Sequence, residues 1–415
     1  MRSAVAFIWI FLTALSVNAQ VWSDTAQYNA YMKGDWQRVV ELGKVAQKED
    51  IDYYYLRARN GYANFMLGKY FKAEKEFEKA LKFNSADPFA KRYGYWSSVY
   101  VGNAATALVK TSSMSVLEKD TFEVIKPKWM NGISLIGGYR ISTGKTFNVS
   151  LPGGIAGTTA APSSMPYISL FLNHQIGRRL TLNHGVNYLS QSRPTRPTPE
   201  GAESQNVWQV GYLASLSIQT TKHTTVTPSF IIQYWESGLN KVYDLSATIT
   251  IRQQISNVHL TAIGGYFQDT DTNKYTVGGS LTWYPLNNLK FYSVTSGGYN
   301  FGGNAPNPFV RQTVAGNLFK RAWLSTSFTW NNRVIAFEDV GLDFVNNATD
   351  RLVWLWSITP SYYPIDKLGI SLTYSMEARR FYLPSIQDPQ GMQNSSELSE
   401  LYNFHSFYLG LNYNF

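Results

Sequence analysis

The sequence predicts a protein of mixed class: a short α-helical solenoid followed by an antiparallel transmembrane β-barrel of about 14 strands. Three observations predict it. Over the first hundred residues, Gly34, Gly68 and Gly102 recur at a period of 34 residues, and apolar residues keep helical spacing. Beyond residue 130 the apolar residues alternate with polar ones. Charged residues are only 16% of the chain, although no segment after the amino terminus reaches about 18 consecutive apolar residues.

The amino terminus has the features of a secretory signal. Arg2 supplies a positive charge, Ala4 to Leu15 an apolar stretch, and Val17-Asn18-Ala19 a cleavage site of small residues. We predict a signal peptide over 1–19 and an exported chain. The chain has no cysteine, which excludes disulfide bonds, thiol catalysis, zinc–cysteine sites and a lipid anchor on cysteine.

The segment 20–115 is predicted to form helical repeats. In "YFKAEKEFEKALKF", the residues Tyr70, Ala73, Phe77 and Ala80 form the apolar stripe of an amphipathic helix. The period of 34 residues resembles the tetratricopeptide family of helix–turn–helix repeats. The resemblance is carried by these residues: Gly61, Ala63, Gly68, Tyr70, Ala73, Phe77 and Ala80. The other two copies depart from that pattern, since Gly43, Asn60 and Asn64 stand where the family has apolar residues.

The resemblance implies a periplasmic groove, lined by the first helix of each repeat, that binds a protein partner. By spacing, the predicted groove residues are Tyr28, Tyr31, Tyr55, Ala58, Tyr62, Phe65, Phe89, Arg92 and Trp96. Aromatic rings suit peptide or sugar binding. The alternative is that these rings fill contacts between helices.

Residues 116–129 are predicted as a linker, and 130–415 as the barrel. The alternation predicts these strands: 132–143, 166–176, 179–190, 206–219, 223–236, 243–253, 257–268, 274–284, 289–300, 309–318, 321–337, 352–364, 368–382 and 401–415. Short connections after every second strand alternate with longer ones, which is typical of outer-membrane barrels with short periplasmic turns. We therefore predict the bacterial outer membrane, with outer-membrane lipid around the barrel and the helical repeats in the periplasm.

The polar face of the strands is predicted to line the lumen, where the charges are Asp244, Arg252, Glu377 and Arg379. The chain ends in strict alternation, "FYLGLNYNF". A terminal aromatic on the closing strand resembles the signal that the barrel assembly machinery recognises. The predicted insertion signal consists of Phe407, Leu409, Leu411, Tyr413 and Phe415.

No catalytic or metal-binding motif is found, so we predict no enzyme activity, no metal and no cofactor. His174 and His184 flank one turn on the predicted lipid face, which favours aromatic-belt residues over metal ligands. The net charge is +9, but the basic residues are scattered, and we expect no nucleic-acid partner.

Three functions remain open. The order of domains resembles that of bacterial exopolysaccharide exporters, which implies a conduit for polymer export. The first alternative is a non-conducting scaffold that anchors the repeats within an envelope complex, because only barrels of about 16 strands and more reliably leave an aqueous channel. The second is a surface enzyme that modifies lipid or glycan.

Overall fold

The computed structural model describes residues 24–143, 146–151, 155–160, 164–198, 201–237, 240–268, 273–302, 307–330, 351–382 and 399–415. The predicted signal peptide, 1–19, lies outside these residues. Two compact units divide the chain. The helical unit contains the residues up to Lys126 together with Tyr284–Lys290, and the barrel unit contains Pro127–Trp283 and Phe291–Phe415.

Seven helices are described in the helical unit. They are α1 (24–32), α2 (Trp36–Lys48), α3 (Tyr54–Met66), α4 (Tyr70–Phe83), α5 (Pro88–Tyr100), α6 (Ala104–Lys110) and α7 (Val116–Thr121). The last of these lies inside the range predicted as a linker. Within the described residues, no helix has both the length and the apolar character needed to cross a membrane.

Glycines end the first helix of each pair at equivalent places. Gly34, Gly68 and Gly102 have φ values of 69°, 68° and 73°, a left-handed conformation that glycine adopts without steric cost. Asp35 and Asn103 then cap α2 and α6 by accepting hydrogen bonds from backbone N–H groups. The period of 34 residues in the sequence is therefore a period of helix–turn–helix pairs in the structure.

The core of the helical unit lies between successive helices. Ala73, Phe77 and Ala80 of α4 are fully buried against Ala58 of α3 and Ala90 of α5. A buried guanidinium joins α3 to α4, because Arg57 of α3 pairs with Glu76 of α4 at 2.9 Å and also with Asp52, just before α3, at 2.6 Å.

The segment Tyr284–Lys290 packs inside this unit. The backbone N–H of Phe71 donates to the carbonyl oxygen of Asn287 at 3.2 Å, and the ring of Tyr284 lies 4.8 Å from the ring of Phe71. The side-chain amide of Asn288 donates to the carbonyl oxygen of Gly68 at 3.0 Å. Phe71 is thereby removed from water, which stabilises the start of α4.

Sixteen strands are described in the barrel unit. They are β1 (Met130–Ser142), β2 (Thr146–Leu151), β3 (Ile155–Ala160), β4 (Met165–Ile176), β5 (Leu180–Thr198), β6 (Gly201–Gln219), β7 (Thr224–Ser237), β8 (Asn240–Ile255), β9 (Val258–Gln268), β10 (Asn273–Trp283), β11 (Phe291–Phe301), β12 (Asn307–Phe319), β13 (Ala322–Trp330), β14 (Arg351–Ile365), β15 (Leu368–Tyr382) and β16 (Ser399–Asn414). All pairings are antiparallel, and the short hairpin β2–β3 pairs with the rest of the sheet only where Thr158 faces Thr198.

The other 14 described strands close into a barrel. β1 pairs with β4 on one side and with β16 on the other, and β5 pairs with β6, so the ring has no open edge. Each of the 14 predicted strands overlaps one of them, which confirms the barrel and its strand number. Residues 331–337, predicted to end the eleventh strand, lie outside the described residues.

The two faces of the wall differ in chemistry. On β16, Phe407, Leu409 and Leu411 are exposed, whereas Ser406 and Gly410 between them are buried. The same holds on other strands, where the exposed large side chains are apolar and the buried ones are mostly Ser, Thr, Gln and Asn. A closed wall that is apolar outside and polar inside satisfies every backbone group and suits a lipid environment.

Candidate functional site

The predicted groove residues lie on α1, α3 and α5. Tyr28 and Tyr31 belong to α1, and Phe89, Arg92 and Trp96 belong to α5. The members on α3 are Tyr55, Tyr62 and Phe65. Ala58, also on α3, is buried in the core and offers no surface.

Four of these aromatic side chains form one continuous cluster. Tyr62 is central, with its ring 5.7 Å from that of Tyr31 and 5.5 Å from that of Phe89. Tyr93, which the spacing does not predict, joins the cluster at 4.9 Å from Tyr62 and 5.1 Å from Phe65. Burial raises the pKa of Tyr31 and of Tyr62, so both phenols are neutral at physiological pH. These half-buried rings bridge the helices and also present edges to a ligand.

Tyr28 and Tyr55 are the most exposed tyrosines of the set, at 46% and 61%. Their rings flank the guanidinium of Arg59, which lies 5.2 Å from the centroid of Tyr28 and 5.6 Å from that of Tyr55. Arg59 also pairs with Asp24, and the sequence pattern does not predict its role. The guanidinium is thus already paired with a carboxylate and largely covered, and it holds the two exposed rings in place by cation–π contacts.

The residues on α5 are divided between surface and interior. Arg92 is exposed, with its guanidinium 5.8 Å from the ring of Tyr93. Trp96 is half-buried, and its indole N–H donates to the carbonyl oxygen of Phe122 at 3.0 Å. Trp96 therefore helps to hold the end of α7, a structural role beside any role in binding.

The predicted lumen charges Glu377 and Arg379 are brought together inside the barrel. Arg379 Nη2 lies 3.3 Å from Glu377 Oε2, and Arg140 of β1 pairs with the other carboxylate oxygen of Glu377. The guanidinium of Arg140 also sits 3.7 Å above the ring of Phe404. All of these side chains are buried. Arg140 is not among the predicted lumen charges, although its alternation with Ser134 on β1 places it on the inward face.

The predicted charges Asp244 and Arg252 both lie on β8 but far apart. Eight residues separate them, about 26 Å along an extended strand. Asp244 is buried and accepts a hydrogen bond from the indole of Trp235 at 3.0 Å. Arg252 is half-buried and lies across from Thr225 and Thr261.

Two successive glycine pairs lie where β10 meets β11, one on the inner and one on the outer face of the wall. Gly278 faces Gly298, and Gly279 faces Gly297. A Cβ atom at Gly278 would lie 2.7 Å from the carbonyl oxygen of Gly297. The strands therefore approach more closely than side chains permit, and glycine is required at this place in the wall.

The predicted insertion signal lies on the outward face of β16. The five residues Phe407, Leu409, Leu411, Tyr413 and Phe415 are all exposed. The ring of Phe415 lies 5.2 Å from that of Tyr413, and its backbone N–H donates to the carbonyl oxygen of Asn131 at 3.0 Å. The last residue is thus tied to the first strand by one backbone hydrogen bond.

The side chains of His174 and His184, on either side of the turn between β4 and β5, contact each other. His174 Nε2 lies 3.1 Å from His184 Nε2, and the ring of Trp129 lies 4.5 Å from that of His174. Across the residues that the structure describes, no group of three or more His, Asp or Glu side chains is arranged to hold a metal ion.

Known proteins resemble this chain only distantly. No family model and no curated protein sequence matches it. A mutant of the TodX monoaromatic hydrocarbon channel has 9% identity and a TM-score of 0.47, covering 69% of this chain and 91% of that one. A Pseudomonas aeruginosa FadL homologue has 10% identity and a TM-score of 0.43, covering 77% and 94%. The Acinetobacter baumannii outer membrane protein Omp33 has 8% identity and a TM-score of 0.36, covering 69% and 99%. Likenesses this distant assign no substrate or activity to this chain.

Proposed function

We propose that this protein is a bacterial outer-membrane conduit for export of a polymer, and that its helical unit is a periplasmic docking domain of tetratricopeptide type. The observation that carries the proposal is the closed barrel with an apolar outer face and an inner face rich in Ser, Thr and Gln. Such a wall is stable in lipid, and its inner face offers hydrogen bonds to a hydrated cargo.

The docking role rests on the exposed aromatic and basic groups of α1, α3 and α5. The rings of Tyr28 and Tyr55 form an exposed patch, and the guanidinium of Arg59 lies between them, paired with Asp24. Exposed tyrosine and arginine are the side chains that most often dominate protein interfaces. The proposed occupant is another protein of the cell envelope.

Conduction is tested with purified full-length protein in planar lipid bilayers. A conduit should give discrete conductance steps, whereas an inserted protein without conductance contradicts it. Export is tested in the native cell by removing the gene. Polymer should then accumulate in the periplasm, and unchanged polymer at the cell surface contradicts the export role.

A non-conducting scaffold is the second candidate, and one observation favours it. Many inward polar side chains are almost fully buried, among them Ser229, Gln233, Ser246 and Thr250. Burial of this extent indicates a narrow interior, in keeping with a barrel of 14 strands. The bilayer measurement separates the two candidates, because a scaffold inserts and stays closed.

A further inference from the structure

One surface of the helical unit carries lysines that have no acidic partner. The side chains of Lys44 on α2, Lys69 just before α4 and Lys72 in the first turn of α4 make no salt bridge or hydrogen bond with any residue that the structure describes. Partial desolvation lowers the pKa of Lys72, and the charges of Lys44 and Lys69 lower it further. The three ammonium groups are therefore close enough to repel one another, and no described carboxylate pairs with them.

The segment Tyr284–Lys290, which connects β10 to β11, brings a fourth lysine to this part of the unit. Two asparagines of the segment bond to backbone atoms one residue before Lys69 and one residue before Lys72. Lys290, at the end of the segment, is exposed and also has no acidic partner among the described residues. We call these four residues the lysine surface: Lys44, Lys69, Lys72 and Lys290.

The same segment begins directly after a residue at the lipid boundary of the barrel. Trp283, the last residue of β10, is exposed on the outer face of the wall, as are Leu281 and Val277 on the same strand. Tryptophan at the end of a membrane strand is typical of the level of the lipid headgroups. Asn287, which bonds to the start of α4, is close to Trp283 in sequence, and the chain can separate the two by no more than about 14 Å. Leu286, between them in sequence, is an exposed apolar side chain, which suits a lipid interface.

From this arrangement we infer that the lysine surface binds the phosphate groups of anionic phospholipid in the membrane around the barrel. Clusters of lysine close to a membrane are attracted by anionic headgroups, and that attraction offsets the repulsion among the lysines. In the placement proposed for the helical unit, the lipid belongs to the periplasmic leaflet. The surface uses α2, α4 and the connection between β10 and β11, so the aromatic groups of α1, α3 and α5 stay available to a protein partner.

The test uses the full-length protein in lipid nanodiscs. One set of discs contains phosphatidylcholine alone, and the other contains phosphatidylcholine mixed with phosphatidylglycerol. A water-soluble amine reagent labels exposed lysines, and peptide mass spectrometry reads the labelling at each position. Labelling of Lys69 and Lys72 should fall severalfold in the anionic discs. Lys82 is the internal control, because it is exposed about 15 Å from Lys72 along α4 and should be labelled equally in both discs.

Substitutions test whether the lysines bind the lipid together. In the variant Lys44→Gln with Lys72→Gln, labelling of Lys69 in anionic discs should return to its level in neutral discs. The matched control is Lys48→Gln with Lys82→Gln, which removes the same number of charges from the last turns of the same two helices. Lys69 should stay protected in this control. High salt should weaken the protection, because exposed charges are screened.

Three results would overturn the inference. The first is equal labelling of Lys69 and Lys72 in neutral and anionic discs. The second is protection of Lys69 that persists in the variant Lys44→Gln with Lys72→Gln. The third is equal protection by inorganic phosphate in neutral discs, which would assign the lysines to a soluble anion instead of a membrane. Each of these results leaves the proposed conduit and the docking of a protein partner untouched, because neither depends on the lysine surface.

Discussion

Lys110 Nζ lies 2.7 Å from Glu74 Oε1 in the interior of the helical unit, with side-chain exposures of only 9% and 3%. The same ammonium lies 3.2 Å from Glu78 and 2.8 Å from the hydroxyl of Ser98. The pair links α6 to α4. The nearby carboxylates raise the pKa of Lys110 despite its burial, so the lysine remains charged.

Removing one partner of this pair should destabilise the helices strongly. Glu74→Ala leaves a buried ammonium with one carboxylate, and we expect a loss of about 3 kcal/mol. The measurement is urea unfolding of the full-length protein in detergent, followed by the far-ultraviolet helix signal. Glu41→Ala is the control, because its pair with Arg38 is exposed at 62% and 56% and should contribute less than about 0.5 kcal/mol. Equal unfolding midpoints for the two variants would contradict a stabilising role for Glu74.

The exposed tyrosines provide the cleanest test of docking. Replacing Tyr28 and Tyr55 with Ala removes the rings that flank Arg59 but leaves the buried core intact. Crosslinking of envelope partners to α3 should fall about tenfold or more, which is typical of the loss of interface hot spots. Phe83→Ala, an equally exposed ring at the end of α4, is the control and should leave crosslinking unchanged.

A second pair of substitutions separates binding from packing in the same groove. Tyr62→Ala with Trp96→Ala should also abolish capture while the barrel still inserts. Both side chains also stabilise the helical unit, through the aromatic cluster and the hydrogen bond to Phe122. If the double variant no longer captures the partner but keeps the melting temperature of the helices, the two side chains bind the partner directly. The proposed docking role of these helices is contradicted if neither pair of substitutions alters the crosslinked partners.

The terminal aromatic should act in assembly more than in stability. Phe415→Ala keeps the backbone hydrogen bond to Asn131 and removes only an exposed ring, so the folded barrel should lose less than about 1 kcal/mol. We expect a severalfold lower amount in the outer membrane, measured by fractionation, with unchanged heat resistance of the inserted protein. Phe328→Ala, which removes an equally exposed aromatic ring from the outer face of β13 outside the predicted signal, is the control. Normal membrane levels of the Phe415 variant would refute the insertion signal.

The glycine pairs of β10 and β11 should tolerate no side chain. Gly278→Ala places a methyl group against the backbone of β11, and forcing the strands apart should cost about 1–3 kcal/mol. At Gly264 the nearest atom is a side-chain methyl of Ile249 at 3.9 Å, so Gly264→Ala is a matched control in the neighbouring strand. The folded fraction on unheated gels should fall for the first variant and not for the second. Equal folded fractions would mean that β10 and β11 accommodate the added methyl group without a loss of stability.

Strand positions are predictable here because each strand carries its own alternation. Leu368–Tyr382 and Thr224–Ser237 agree with the predicted ranges to within one residue at each end. The hairpin β2–β3 is not predicted, because "TFNVSL" alternates over only six residues, fewer than a membrane-spanning strand needs, and "IAGTTA" consists mostly of small residues. The sequence does not predict the extension of β5 to Thr198, because Pro194 and Pro197 are typical of loops and are rare inside strands.

Contacts between distant segments are the part that the sequence does not predict. Parity along β1 places Arg140 on the inward face, but its ion pair with Glu377 exists only because the barrel closes β1 next to β16 and β15. The sequence does not predict the role of Arg59 for a similar reason. It contacts Tyr28 on another helix, and the period predicts its neighbour Ala58 instead.

The pairing of Gly132 with Asn414 also has a kinetic consequence. The first strand of the barrel pairs with β4 early, but it gains its second neighbour only after β16 has been synthesised. Until then β1 and the growing end present unpaired edges, which favour aggregation, and contacts of such long sequence separation form slowly. We therefore expect that a chaperone that covers these edges until the ring closes raises the yield without altering the finished barrel.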